Sequence, residues 1–297
     1  MNASLLVDSR CTLGEGIVWC PRRQAWLWTD IEGRRIWMFV PKDASTRSWA
    51  LPERLGSFAL CRSGLLLLAL AKRLAFADLD AAQGETLAVS EIVGLDPGLD
   101  TRTNDGRTDR AGNFVFGTMS ELPSHKPIGS FYQYSNAHRL RRLDLGTVGI
   151  PNSVAFSPDG GTMYFCDSLD KRIMRARYDA ASATASAVEV FVDLRSRPGS
   201  PDGSIVDADG FLWNAAWGAA RVRSFTPEGT LDREVAVPPK NPTCLAFGGA
   251  KLEDVAISSA RQEMSEHELR DCPQAGGVFQ IASTGVRGLT DEEFADA

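Results

Sequence analysis

A repeated local pattern is the sequence feature that most constrains the fold. Six times along the chain, a polar or glycine-bearing turn leads into a segment of alternating apolar residues, as in a strand with one buried face. These segments are residues 25–30, 64–70, 112–118, 161–167, 210–217 and 253–258. Their starts lie roughly 40 to 50 residues apart, which is typical of the blades of a β-propeller.

Further short strands are predicted around these segments. A second strand follows each one after a short gap, and a third type precedes the turn at 153–156 and 204–206. Helical periodicity is weak, with one short candidate at 265–269. The pattern predicts an all-β fold, a six-bladed β-propeller, whose blades pack radially and protect one another's edges. The even spacing disfavours the alternative, a β-sandwich or two β-domains.

Two expectations concern the whole chain. The first strand, around 5–7, should join the last blade and close the ring. Residues 1–297 should then form a single six-bladed domain with a central channel. Polar residues beside the innermost strands would face one another across that channel.

Composition narrows the class of protein. Of the 297 residues, 43% are apolar, and 38 acids against 32 bases give a net charge of −6. There is no long basic run, which argues against a nucleic-acid footprint. No signal peptide is evident, and the longest apolar run, 65–71, is too short to span a bilayer. Six scattered cysteines favour free thiols in a reducing cytosol. We therefore expect a cytoplasmic monomer or weak dimer, with no nucleic-acid or membrane partner.

Three side chains stand beside predicted inner strands. Glu15 lies between two glycines, Asn152 follows a proline, and Asp202 lies in a Pro-Asp-Gly tripeptide. Each one taken singly is also typical of an ordinary turn. Together, two carboxylates and an amide form an oxygen-only ligand set that suits Ca²⁺, Mg²⁺ or Mn²⁺, with Zn²⁺ or Fe²⁺ possible if water completes the shell. The three histidines are not spaced as zinc ligands usually are. The sequence therefore predicts a metal site in the central channel.

Two further stretches carry polar groups. Residues 102–106 read Arg-Thr-Asn-Asp-Gly, which is a turn signal in which the arginine could also reach a ligand oxygen. Glu121 follows a predicted strand. Pro-Asp-Gly occurs again at 158–160, between two predicted strands, where it is typical of a hairpin turn. The copy at 201–203 must differ, because its hairpin turn comes later, at 207–210.

As a set, these motifs resemble the SMP-30/gluconolactonase family, which includes regucalcin and bacterial sugar lactonases. The motifs are Gly-Glu-Gly before Trp19, Arg-x-Asn-Asp-Gly at 102–106 with Gly-Thr-Met at 117–119, Pro-Asn with Ser-Pro-Asp-Gly at 151–160, and Pro-Asp-Gly with Gly-x-Leu-Trp at 201–213. The resemblance covers nearly the whole chain. It implies a six-bladed propeller, in agreement with the repeat count.

The resemblance also implies roles for individual residues. The residues that match the family's metal ligands are Glu15, Asn152 and Asp202, and Asp202 also matches its proposed general base. The residues that match substrate-contacting positions are Arg102, Asn104 and Glu121.

Two positions depart from the family pattern. Ile17 replaces the usual proline, and Ser153 replaces the usual glycine after the metal-binding asparagine. Neither change removes a ligand. We expect Ser153 to bear on specificity more than on activity, by narrowing the channel floor or by adding a hydroxyl near the substrate.

The implied activity is metal-dependent hydrolysis of a sugar-acid lactone, such as a pentono- or hexono-1,4- or 1,5-lactone, to the aldonic acid. The cofactor would be one divalent metal from among Ca²⁺, Mn²⁺, Zn²⁺, Mg²⁺ and Fe²⁺. Two alternatives stay open. One is a phosphotriesterase-like or promiscuous esterase activity at the same metal. The other is a non-catalytic calcium-binding propeller.

Overall fold

Six four-stranded antiparallel sheets form the blades of the computed structural model, which describes residues 2–137 and 139–296. The innermost strand of each blade contacts the innermost strand of the next, and these contacts run around a closed ring. The predicted six-bladed β-propeller is therefore confirmed.

The chain builds the blades in order. The first strand, β1 (Ser4–Val7), belongs to blade 6. Blade 1 contains β2 (Gly14–Cys20), β3 (Ala25–Asp30), β4 (Arg35–Val40) and β5 (Ser45–Ala50). Blade 2 contains β6 (Leu55–Leu60), β7 (Leu66–Leu70), β8 (Arg73–Ala77) and β9 (Val89–Gly94). Blade 3 contains β10 (Thr101–Thr108), β11 (Phe114–Ser120), β12 (Phe131–Ser135) and β13 (Arg139–Arg142).

The second half of the ring repeats this order. Blade 4 contains β14 (Pro151–Phe156), β15 (Thr162–Asp167), β16 (Arg172–Asp179) and β17 (Thr184–Asp193). Blade 5 contains β18 (Ser200–Val206), β19 (Leu212–Trp217), β20 (Arg221–Phe225) and β21 (Leu231–Ala236). Blade 6 contains β22 (Asn241–Gly248), β23 (Asp254–Ala260), β24 (Val278–Ile281) and β1.

The two ends of the chain meet in blade 6. Strand β1 pairs antiparallel with β24, with Ser4 opposite Gln280 and Leu5 opposite Phe279. The expected closure by the first strand is therefore confirmed. That residues 1–297 make up a single domain stays a prediction.

One short helix interrupts the strands. Helix α1 (Glu266–Asp271) begins after Ser265, whose side chain accepts a hydrogen bond from the Glu268 N–H in a capping box. The predicted helix at 265–269 is thus confirmed. Across residues 2–137 and 139–296, no helix has the length and apolar character needed to cross a membrane. The cytoplasmic location and the oligomeric state stay predictions.

Each innermost strand contains an irregularity that matters for the site. The pairing register shifts between Glu15 and Val18 in β2, and β10, β14 and β18 shift after Thr103, Asn152 and Pro201. A bulge inserts an extra residue and redirects side chains that a regular strand would place elsewhere. The sequence indicated that these polar residues come just before the inner strands, but the structure places them inside the strands, at the bulges.

Candidate active site

A cavity of about 360 Å³ opens beside these bulges. The structure brings together five of the six residues predicted from sequence, because the cavity is lined by Glu15, Arg102, Asn104, Asn152 and Asp202. All five side chains are buried. They come from blades 1, 3, 4 and 5, so the ring itself holds them in place.

Glu121 is the sixth predicted residue, and the structure places it apart. It is absent from the cavity lining given by the described residues. Its carboxylate lies 2.5 Å from Nη2 of Arg54, whose Nη1 lies 3.5 Å from Glu32. A substrate contact by Glu121 would compete with that ion pair. The substrate contact stays a prediction.

A chain of hydrogen bonds orients the amide of Asn152. Its Nδ2 donates to Ser168 Oγ at 2.8 Å, and that hydroxyl donates to the Pro201 carbonyl at 2.7 Å. The amide oxygen of Asn152 therefore faces Asn104, whose Nδ2 donates to it at 3.1 Å. Asn104 in turn accepts from Arg102 Nη1 at 2.8 Å. Since a carbonyl oxygen has two lone pairs, the Asn152 oxygen keeps one for a ligand.

Asp202 is supported from behind through its own backbone. Its carbonyl oxygen accepts from Ser153 Oγ at 2.6 Å and from Asn214 Nδ2 at 3.0 Å. Ser153 is fully buried and has a φ of 61°, in the left-handed region where glycine is usual. Its hydroxyl thus bonds the Asp202 backbone and does not line the cavity. An influence of Ser153 on specificity would have to act through the position of Asp202, and it stays a prediction.

Buried negative charge dominates the electrostatics of the cavity. Burial, and then repulsion by Asp105, raises the pKa of Glu15 to about 8. Burial, and then repulsion by Glu15 and Asp105, raises the pKa of Asp202 well above its usual range. Burial also raises the pKa of Asp105, which accepts the Val154 N–H at 2.8 Å. Burial lowers the pKa of the neighbouring Arg102 to about 10, and repulsion by Arg54 adds to the effect.

These groups fit a divalent cation. Among residues 2–137 and 139–296, no three His, Cys, Asp or Glu side chains are grouped so as to hold a metal ion. The candidate set consists of two carboxylates, from Glu15 and Asp202, with the free lone pair of Asn152. It supplies oxygen atoms only, and water would have to complete the coordination shell. A cation here would relieve the mutual repulsion of two buried carboxylates.

The metal-free protein is expected to lose stability as the pH rises from about 5 to about 8. The folded-state pKa of Glu15 is about 8, against an ordinary value of 4.5. The stability that Glu15 contributes to the folded state is therefore complete below pH 4.5 and is lost as the pH rises through 8. The raised pKa of Asp202 acts in the same direction. Melting temperatures measured in EDTA across this range would test the prediction. The decline should be weaker in Glu15→Gln, and an unchanged or rising melting temperature in the unaltered chain would contradict it.

Several residues in or near the cavity carried no predicted role. Asp105 lies outside the cavity lining but is buried beside it, and its position within Asn-Asp-Gly had indicated only a turn. Met119 lines the cavity and ends the Gly-Thr-Met motif. The other lining residues that were not predicted are Leu13, His125, Ile150, Ser168, Leu169, Ser200, Trp217, Gln262 and Glu263. Most of them lie in loops or at strand ends, where no periodic signal could have revealed them.

The fold and the site define a class, a six-bladed propeller with an acidic, amide-bearing cavity lined by residues of its innermost strands. A family model described as "SMP-30/Gluconolactonase/LRE-like region" matches residues 13–261, and the chain belongs to this family.

Individual relatives resemble the chain over nearly its full length. It is 43% identical to an L-arabinolactonase of Azospirillum brasilense, over 99% of this chain and 96% of that protein. It is 33% identical to a 6-deoxy-6-sulfogluconolactonase of Pseudomonas putida, over 99% and 100% of the two chains. Among solved structures, the calcium-binding protein regucalcin from Agrobacterium tumefaciens superposes with a TM-score of 0.90 at 29% identity, over 98% and 96% of the chains.

Proposed function

We propose that this chain hydrolyses a five-carbon aldonolactone of the L-arabinono-lactone class to the aldonic acid, with one divalent metal in the channel cavity. The chain is a sugar lactonase, a carboxylic ester hydrolase of the gluconolactonase kind. The full-length similarity to the A. brasilense L-arabinolactonase supports the substrate class. The observation that carries the proposal is the shared cavity of Glu15, Asn152 and Asp202.

The metal would be held by Glu15, Asn152 and Asp202. The calcium-binding description of the A. tumefaciens regucalcin supports a divalent cation, and Ca²⁺, Mn²⁺, Zn²⁺, Mg²⁺ and Fe²⁺ are the candidates. When bound, such an ion supplies Lewis-acid polarisation of a carbonyl oxygen and lowers the pKa of water.

Asp202 is proposed as the general base. Burial raises the pKa of Asp202, and a carboxylate with a raised pKa accepts a proton more readily than an exposed one. Asp202 would take a proton from the attacking water as the water oxygen bonds to the lactone carbonyl carbon. The bond from that carbon to the ring oxygen then breaks, and the ring oxygen leaves as a hydroxyl after receiving a proton. The support behind the Asp202 carbonyl, from Ser153 and Asn214, fixes the backbone from which the carboxylate projects.

Arg102 and Asn104 are proposed to orient the lactone. Arg102 uses Nη1 for the Thr103 carbonyl and for Asn104 Oδ1, both at 2.8 Å. Its remaining N–H groups can donate to substrate oxygens. Asn104 also donates to the Pro151 carbonyl at 2.9 Å, so its amide is fixed before a substrate arrives. A rigid arrangement of this kind lowers the cost of orienting the reacting atoms.

The direct test is lactone hydrolysis by metal-stripped protein to which single metals are returned. The substrate is L-arabinono-1,4-lactone, and its uncatalysed rate of hydrolysis is subtracted. We expect almost no activity after chelation, and recovery of activity with at least one of the five candidate ions. An aryl phosphotriester serves as the comparison substrate and should be hydrolysed far more slowly. Full activity that survives exhaustive chelation would contradict metal dependence, and metal binding without turnover of any lactone would contradict the activity.

A further inference from the structure

His125 lies in the wall of the cavity, in the loop between β11 and β12. Its φ of 44° is in the left-handed region, which histidine adopts more readily than most residues do. Its N–H donates to the Leu122 carbonyl at 2.8 Å, which closes a turn. A Cβ atom added to Gly149 would lie only 2.6 Å from the His125 carbonyl oxygen, so the loop packs directly on that glycine. The backbone that carries the imidazole is therefore held in place by its neighbours.

The orientation of the imidazole follows from one contact. Nδ1 lies 2.9 Å from the carbonyl oxygen of Ser120. A carbonyl oxygen can only accept a hydrogen bond, so Nδ1 carries the hydrogen. In the neutral ring, the other nitrogen, Nε2, is then an acceptor. Because Nδ1 is turned to the backbone at the end of β11, Nε2 is the polar atom with which this side chain can meet a ligand.

The other polar groups of the cavity offer few acceptors near the proposed metal ligands. Asn104 Oδ1 already accepts from Arg102 and keeps one lone pair, and the Asn152 amide donates to Ser168. Ser200, Gln262 and Glu263 also line the cavity. The carboxylates of Glu15 and Asp202 are assigned to the metal in the proposed function. A sugar lactone brings several hydroxyl groups, and each must find an acceptor when it leaves water.

We propose that His125 is a specificity-determining residue whose Nε2 accepts a hydrogen bond from a hydroxyl group of the lactone ring. This inference rests on the proposed function. With this contact, His125 would make the enzyme prefer polyhydroxylated lactones to lactones that lack hydroxyl groups. A site that pairs a substrate hydroxyl discriminates strongly against an analogue without it, because its own polar atom is then left unpaired.

The test compares two substrates, L-arabinono-1,4-lactone and γ-butyrolactone, which has no hydroxyl group. His125→Phe keeps a planar ring and removes the acceptor. We expect it to lower kcat/KM for the arabinonolactone by about tenfold, mainly through KM, and to change the value for γ-butyrolactone by less than about twofold. His125→Gln restores an acceptor at similar reach and should recover part of the loss.

The controls separate the possible outcomes. His267→Phe changes a histidine that is exposed on α1, and it should leave kcat/KM unchanged for both substrates. If His125→Phe lowers kcat/KM equally for both substrates, the loop has collapsed or the residue is only structural, and the inference is overturned. If kcat/KM changes for neither substrate, the inference is likewise overturned while the proposed function stands. If the unaltered protein hydrolyses neither lactone with any metal, the proposed function fails and the inference fails with it.

Gly149→Ala gives an independent check. The added methyl group would press on the His125 carbonyl oxygen and displace the loop without changing any polar atom of the cavity. We expect a smaller loss in the same direction, larger for the arabinonolactone than for γ-butyrolactone. A larger loss for γ-butyrolactone would contradict the proposed contact.

Discussion

Asp202→Asn is expected to lower lactonase kcat by a factor of about 10³, at saturating metal, because it removes the proposed general base and keeps the shape of the side chain. The same change removes a buried carboxylate whose pKa is raised by burial and by repulsion from Glu15 and Asp105. The metal-free variant should therefore melt at or above the temperature of the unaltered protein at neutral pH. Steady-state kinetics and melting curves in EDTA check the two halves of this prediction.

The chain supplies a matched control in its second Pro-Asp-Gly. Asp159 lies in the turn between β14 and β15, where it is exposed and bonds the Ser157 hydroxyl at 2.5 Å and the Gly161 N–H at 3.0 Å. Asp159→Asn should leave kcat within about twofold, since surface changes away from a site have small effects. Comparable losses in the two variants would mean that Asp202 acts through the fold. Undiminished activity in Asp202→Asn would remove it from the mechanism.

Opposite effects on stability and activity are expected wherever function requires buried like charges. The Glu15 and Asp202 carboxylates repel each other in a buried cavity, and the fold holds them there through the bulges of β2 and β18. The hydrogen bonds from Ser153 and Asn214 go to the Asp202 carbonyl oxygen. They do not involve the carboxylate, which lines the cavity. Substitutions that remove this strain are expected to stabilise the metal-free chain and to impair it as an enzyme.

Much of the fold could be predicted from the sequence because the inner three strands of each blade have a buried face. Alternation of apolar residues sets their register, as in β3, which occupies the predicted residues 25–30. Apart from β1, which was predicted around 5–7, the outermost strands carried no comparable signal. Strands β9 and β17 are largely exposed, and the sequence of β17, Thr-Ala-Ser-Ala-Val-Glu-Val-Phe-Val-Asp, alternates only in part. Their pairing depends on the strand beside them, which a local pattern does not reveal.

The candidate site was predictable to the extent that it lies on the inner strands. The cavity brings together Glu15, Asn152 and Asp202, as their positions suggested, although these residues lie within the strands. Turn-forming residues such as Asn-Asp-Gly and Pro-Asp-Gly are compatible with a strand where a bulge interrupts its pairing. His125 could not be found in this way, because its position depends on loop packing against Gly149.

Asp207 and Asp109 occupy equivalent turns in blades 5 and 3. In each turn, the aspartate N–H donates to the carbonyl four residues later, and its carboxylate accepts the N–H groups two and four residues later. The Asp207 carboxylate also accepts from Trp213 Nε1 at 2.9 Å. Trp213 is almost completely buried, so its indole N–H depends on this partner.

Asp207→Ala is expected to destabilise the protein by about 3 kcal/mol, because three donors lose a shared acceptor and one of them is buried. Asp209→Ala is the matched control in the same turn, where the side chain is exposed and only the backbone N–H bonds Asp207. It should cost less than about 0.5 kcal/mol. Denaturant unfolding at neutral pH measures both values. The surviving folded fraction of Asp207→Ala should keep its kcat, since Asp207 lies outside the cavity lining formed by the described residues. A large loss of kcat with unchanged stability in Asp207→Ala would contradict the structural role assigned to Asp207.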